Sequence, residues 1–374
     1  MDNTDNARKG KVKRMFSGGN TVKGFHSFFH HITGNDYKLR FIIKGGPGAG
    51  KSTFMGAIGE HAIDNGYDIV EHRCSTDPDS LDALFIPELK VALLDGTAPH
   101  AVEPRNPGIT DDIIWLGEYW DEDKLLEFRD DIVKLNRRAN KLFSIAFSRL
   151  KEGSIAYGEW RSYIQDGFSI GEYNRIVRRI IKEIFDDIPL NRNKHGETSQ
   201  HFATAISCKG IYSYVENLIE PEFKVHALSG MPGSGVNEAI ARIAMEAEEL
   251  GLNTQLFHGP VIVDELEMLI IPELKRVIVD LSSLGNNNSL LFHSNQEVSY
   301  IDFDEYLDIE TIHEFHDEIE QSKKRFYGLV EAATDFIARA KATHGQVEEY
   351  YVDAMDFQRA NSKRMEVLQR IFET

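Results

Sequence analysis

Cysteine is almost missing from this chain: Cys74 and Cys208 are the only two in 374 residues. Two isolated thiols make no disulfide framework and fit a reducing compartment. Excess positive charge is missing too. Lys and Arg number 42 against 60 Asp and Glu, a net charge of −18, which disfavours nucleic acid and anionic membrane as partners because both need a basic face. The exception is RKGKVKR at 8–14, read as the basic part of a solvated, disordered N-terminal tail spanning residues 1–14. No apolar run approaches the length of a membrane span, and no charged-then-apolar signal segment opens the sequence. The expectation is a cytoplasmic protein with no membrane partner. What is present is apolar side chain, 41% of residues, enough to fill two cores, in a length that suggests about two domains.

Two stretches look alike. KGGPGAGKST at 44–53 and SGMPGSGVNE at 229–238 each hold a glycine, four residues and a second glycine, with Pro-Gly between them and an apolar run before. Only the first continues with Lys-Ser. In G-x-x-x-x-G-K-[ST] the backbone N–H groups of the loop turn inward around a phosphate. The lysine neutralises phosphate oxygens, and the hydroxyl ligates Mg²⁺. Gly45, Gly46, Pro47, Gly48, Ala49 and Gly50 form that loop, with Lys51, Ser52 and Thr53 completing it. The context fits: Arg40-Phe-Ile-Ile is a short strand, and Phe54, Ile58 and Ala62 recur at helical spacing until Asn65-Gly66 caps the helix. A helix N-terminus at that place adds a positive dipole end.

An acidic partner follows in FIPELKVALLD. Val91–Leu94 reads as a strand of a parallel sheet, and Asp95 at its end is placed to reach Mg²⁺, usually through water. Its distance from the loop is reproduced later in the chain. Gly230 lies 185 positions after Gly45, and the same shift carries Gly50 to Gly235, Gly66 to Gly251, one IPELK to the other, and Asp95 to Asp280 without a gap. KGFHSF at 23 answers KGIYSY at 209, and LLEFRDDI at 125 answers IHEFHDEI at 312. The chain is read as a tandem duplication of one α/β unit. Lys51, Ser52 and Thr53 correspond to Val236, Asn237 and Glu238. The second loop has thus lost its phosphate-reading side chains, and Glu238 sets an anion at the helix N-terminus where a phosphate would sit.

Beyond Asp95 comes a loop with His100 and Arg105, and then the spacing turns helical. Leu125, Phe128, Ile132, Leu135, Leu142, Ala146 and Leu150 share one face, and Ile170, Tyr173, Val177, Ile180 and Ile184 another. Each unit therefore carries a helical appendage, about 121–188 in the first (15–188) and about 305–374 in the second (201–374), with the polar stretch 189–200 as linker. Arg149, Arg161, Arg175, Arg178 and Arg179 are basic only in the first appendage. Most are read as a solvated face, with one or two placed to close over the phosphates. His26 and His30, four apart, are read as surface or packing residues and Arg73 as a surface ion-pair partner. IPELK, kept in both halves, is read as structural.

These motifs resemble those of the P-loop NTPase superfamily in both halves. More closely, the paired loops with DPDSLD at 77–82 and DGTAPH at 95–100 are similar to an uncharacterised family of bacterial two-copy P-loop ATPases. That resemblance implies a mostly parallel sheet flanked by helices in each copy, ATP as ligand, and Lys51 and Asp95 as its chemical residues with Mg²⁺ on Ser52 and Asp95. Gly46 stands where SIMIBI-type ATPases carry their signature lysine, and Gly96 follows Asp95 where AAA and ABC ATPases often carry a glutamate. Asp-Gly there is similar to nucleoside monophosphate kinases. Three functions remain open: an ATPase or ATP-driven switch working in one half, a kinase with a small acceptor, and a non-catalytic nucleotide-binding module. The halves are expected to form an intramolecular pseudo-dimer that binds one ATP; no protein partner is indicated.

Overall fold

The computed structural model describes residues 8–34, 36–186, 188–189, 195–283 and 292–373. In the first half β1 (Val12–Phe16) precedes a hairpin of β2 (Gly18–Thr21) and β3 (Gly24–Ser27). Then come β4 (Leu39–Lys44), α1 (Lys51–Asp64), β5 (Ile69–Arg73), β6 (Leu81–Ile86), β7 (Val91–Asp95) and β8 (Asp111–Trp115). Three helices follow: α2 (Glu122–Glu127), α3 (Arg129–Asp166) and α4 (Ile170–Phe185). The second half repeats this as β9 (Thr198–His201), β10 (Thr204–Ser207), β11 (Gly210–Ser213), α5 (Val215–Leu218), β12 (Lys224–Ser229), α6 (Val236–Glu249), β13 (Thr254–His258), β14 (Leu266–Ile271), β15 (Arg276–Asp280) and β16 (Val298–Asp302). It closes with α7 (Ile309–His313), α8 (His316–Ala354) and α9 (Phe357–Phe372).

Each half builds a six-stranded sheet, β1-β5-β6-β7-β4-β8 and β9-β13-β14-β15-β12-β16, so the duplication read from the sequence recurs as topology. Both sheets are mixed. β1–β5, β4–β7 and β4–β8 run parallel, whereas β6 is antiparallel to both neighbours. IPELK is the reason: it is the reversal joining β6 to β7 and β14 to β15, with Lys90 at φ 54 and Lys275 at φ 51. Phe41, Ile42 and Ile43 on β4 are fully buried, as a strand covered on both faces requires. α1 ends at Asn65, and Gly66 takes the left-handed φ of 84 that a helix C-terminus favours. Among the described residues no helix is long and apolar enough to cross a membrane.

Two expectations at the segment ends change. Residues 12–14, assigned to a solvated tail, belong to β1, whose Lys13 and Arg14 pair with Glu220 and Glu71; these acidic partners come from distant sequence and neutralise the run. Residues 198–200, assigned to the linker, belong to the edge strand β9, while 190–194 lie outside the described residues.

The appendages change more. α3 and α8 lie antiparallel along their length, with Phe128 against Tyr350 at one end and Tyr163 against Phe315 at the other. About 38 residues at 1.5 Å each make this pair roughly 57 Å long. The final helices then cross over. α9 supplies Ala360, Val367 and Ile371 to the core around α1, β4 and β7 of the first half. α4 supplies Tyr173, Ile176, Val177, Ile180 and Ile184 to the core around α6 of the second. The last helix of each appendage thus completes the core of the other unit. Paired bridges mark the exchange, Trp120 with Met355 and Phe168 with Leu307, and the two edge strands meet where Phe16 bonds Phe202.

Candidate functional site

The loop at 45–53 leaves the end of β4 and enters α1 at Lys51. Gly50, at φ 79, is the N-cap residue, and no side chain bonds the free N–H groups of the first turn, which leaves that helix end open to an anion. Lys51 Nζ lies over the loop, donating to the carbonyls of Gly45 at 2.8 Å and Gly46 at 3.0 Å, and stands 3.6 Å from Asp95 Oδ2. Asp95 Oδ1 accepts the Thr97 N–H at 2.8 Å, and the Thr97 hydroxyl donates to Gly45 at 3.0 Å. Ser52 Oγ accepts the Leu81 N–H at 2.9 Å. Lys51, Ser52 and Asp95 therefore stand together at the C-terminal ends of β4 and β7, in a cavity of about 900 Å³.

The far wall of the cavity belongs to the second half. Gly48, at φ 69, lies so close to α8 that an added Cβ would come within 2.7 Å of the Glu348 carbonyl. Lys341, His344 and Glu348 of α8 and Phe357 of α9 face the loop. Lys341 pairs with Asp77 at 3.2 Å and with Glu348 at 3.3 Å, and His344 Nδ1 lies 3.2 Å from Glu348. The first appendage contributes Asn140, Phe143 and Phe147, but none of the five arginines, of which one or two were expected there. The crossing is the physical reason: Arg161 is carried to the other loop.

Two residues that the loop pattern does not contain also enter the cavity, Asp82 and His100. His100 Nε2 lies 3.4 Å from Asp82 Oδ2, and the ring stacks on Phe29 with centroids 4.3 Å apart. Burial alone would lower the His100 pKa. Asp82, helped by Asp95 and opposed by Lys51, outweighs it and holds the pKa above the ordinary histidine value. Both residues sit in segments quoted from the sequence, DPDSLD and DGTAPH; only their proximity was hidden.

The second loop keeps the backbone and fills the space. Gly233 and Gly235 repeat the left-handed conformations of Gly48 and Gly50, and α6 starts at Val236. Here α3 closes in, the Arg161 carbonyl lying 2.8 Å from where a Cβ on Gly233 would stand. Arg161 bonds Glu238 and Glu265, and Tyr157 donates to Glu265 at 2.7 Å. The cavity left is about 80 Å³, the share of two or three waters at about 30 Å³ each. Burial pushes the Asp280 carboxyl up to about 8, with Glu267 and Glu265 adding to the rise and the Ser282 N–H opposing it. Neutral near pH 7, it is a poor cation ligand.

The remaining expectations concern single side chains. Arg73 pairs with Glu71, and His26 packs edge-on against Phe28. Among the described residues no group of three or more His, Cys, Asp and Glu side chains is arranged to hold a metal. Comparison of the chain with protein-family models, with curated proteins and with solved structures finds no match.

Proposed function

We propose that the first half binds ATP with Mg²⁺ and works as an ATPase or ATP-driven switch with a single site per chain. One observation carries this reading. An uncapped helix N-terminus, Lys51 and Ser52 open onto a cavity of about 900 Å³, whereas the equivalent loop is closed by Arg161 and Glu238 onto about 80 Å³. Ligand pockets run roughly 300–1,000 Å³, so only the first has room for a nucleotide.

Ser52 Oγ and the Asp95 carboxylate are hard oxygen donors that fit Mg²⁺, which takes one or two protein ligands alongside substrate phosphates and water. When bound, the cation withdraws charge from the phosphoryl oxygens. The chain's own residues do the rest. The backbone of Gly46–Lys51 binds and orients phosphate, Lys51 neutralises it, and Thr97 holds Asp95 and the Gly45 carbonyl in place. α8 and α9 cover the loop, so a nucleotide there touches both halves. That contact supports the switch and the intramolecular pseudo-dimer.

The cavity is large enough for a second molecule beside a triphosphate, which keeps the kinase reading alive. Calorimetric titration with Mg·ATP tests the site, with one nucleotide per chain expected and two refuting it. Phosphate release separates the activities. Release without acceptor identifies an ATPase, and ATP loss without free phosphate when an acceptor is added identifies a kinase. Binding without either identifies a nucleotide-binding module.

A further inference from the structure

We propose that His100, held by Asp82, supplies a further positive charge to the phosphoryl groups bound in the first-half cavity, beyond the charge of Lys51. The proposal rests on the reading of residues 45–53 as a triphosphate site and adds a residue that lies outside that loop.

Geometry comes first. His100 and Asp82 line the same cavity as Lys51, Ser52 and Asp95. Their side chains are only 8% and 7% exposed, yet His100 Nδ1 is buried with no hydrogen-bond partner among the described residues. A buried polar atom without a partner calls for an explanation, and a working role or a bound ion or water is one. The ring is fixed in place by its stack on Phe29 and by Phe25 edge-on at 5.2 Å.

The duplication supplies an independent comparison. Asp82 corresponds to Glu267, so the second copy retains a carboxylate, which is bonded there by the hydroxyls of Thr204 and Ser283. His100 corresponds, under any shift from 185 to 187, to Gly285, Asn286 or Asn287. The copy that lost the lysine and hydroxyl has no histidine either.

Charge balance explains the use. Lys51 and Asp95 act on the ring from α1 and β7, and Asp77 and Asp79 from the segment before β6 and Lys341, His344 and Glu348 from α8 line the same cavity. Carboxylates outnumber lysines among these groups, so a polyanion enters walls of its own sign. An imidazolium beside Asp82 offsets part of that repulsion. Its contribution is present while the ring is protonated and disappears as pH rises through the raised His100 pKa.

The test is the affinity of the full chain for Mg·ATP from about pH 6 to about pH 9, in the parent, His100→Gln, Asp82→Asn and His344→Gln. The parent-to-H100Q affinity ratio cancels the nucleotide's own titration. The expected ratio is about tenfold at the acid end, shrinking towards one as the imidazole loses its proton. D82N, which keeps the ring in place, should move that decline to lower pH, and H344Q should retain it. A ratio near one throughout, a deficit that does not change with pH, or a pH dependence abolished by H344Q overturns the proposal while leaving the triphosphate site standing. Failure of the parent itself to bind Mg·ATP at any pH overturns both.

Discussion

Separating the halves is the most direct perturbation of this fold. A fragment of residues 1–190 retains the first sheet and α1 but loses the groups that close its core, Met355, Val367 and Ile371, each less than a tenth exposed. At about 1.5–3 kcal/mol for each buried apolar side chain, that is about 5–9 kcal/mol. Domains of ordinary stability hold about 5–15 kcal/mol in total. The loss is therefore comparable with the whole, even before the α3 face that packs on Phe326, Val330 and Ile337 of α8 is uncovered. Urea unfolding followed by circular dichroism should show a fragment with no cooperative transition, or one at a much lower midpoint. Mixing it with residues 195–374 should restore a parent-like transition, because α4 and α9 can dock in trans. A 1–190 fragment that unfolds cooperatively at the parent midpoint would refute the crossed packing.

Four other outcomes follow from the same geometry. Lys51→Ala should weaken ATP binding by about 1.5–3 kcal/mol, the worth of a charge-assisted contact, and unchanged calorimetric affinity would sink the assignment. Asp95→Asn should weaken the Mg²⁺-dependent part of binding, whereas Asp280→Asn should leave it near parental, since the buried Asp280 carboxyl, pushed up to about 8, is already neutral; equal effects would mean two working sites. Burial holds Glu267 at about 7 and Asp280 at about 8, above the pKa of either acid in an unfolded chain, so the folded state binds more protons. Stability should fall as pH rises from about 4 to about 8, and Glu267→Gln with Asp280→Asn should flatten that fall in urea unfolding curves. Val236→Lys with Asn237→Ser should not create a second nucleotide site, because Arg161 and Glu238 still occupy it; two nucleotides bound per chain would contradict this.

What was readable in the sequence was local. The loop, the strand before it and the helix after it depend on consecutive residues, and β4, α1 and Asp95 lie where that pattern puts them. The 185-residue repeat carried over into topology for the same reason, since equal segments fold equally. Long-range pairing was hidden. Residues 12–14 looked like part of a charged tail because Glu71 and Glu220, which neutralise them, are far away in sequence. The antiparallel β6 was missed because LDALFI, the strand, runs straight into the reversal that separates it from β7. An amphipathic helix declares that it has an apolar face, not which core receives it. The spacing of Val177, Ile180 and Ile184 was legible, and their destination beside α6 was not.

That destination also explains why a loop without the Lys-Ser pair persists. Gly48 and Gly233 each meet the backbone of the opposite long helix, at Glu348 and Arg161, which occupy matching positions in the repeat. The loop backbone is therefore a docking surface for the hairpin as well as a candidate phosphate cradle, and the second copy uses only the docking. There Glu238, at the position of Thr53, gives Arg161 an exposed ion-pair partner across the halves. In the first copy the matching contact is made by Glu348, a residue of the wrong sign to approach a phosphate unassisted, and it is tied back to Lys341 and His344. The loop that a nucleotide could enter is covered by groups that must share their charges with it, and the loop that holds the halves together is closed. The second copy can lack the lysine and the hydroxyl and still keep its fold, because docking at either end of the α3–α8 pair uses the loop backbone.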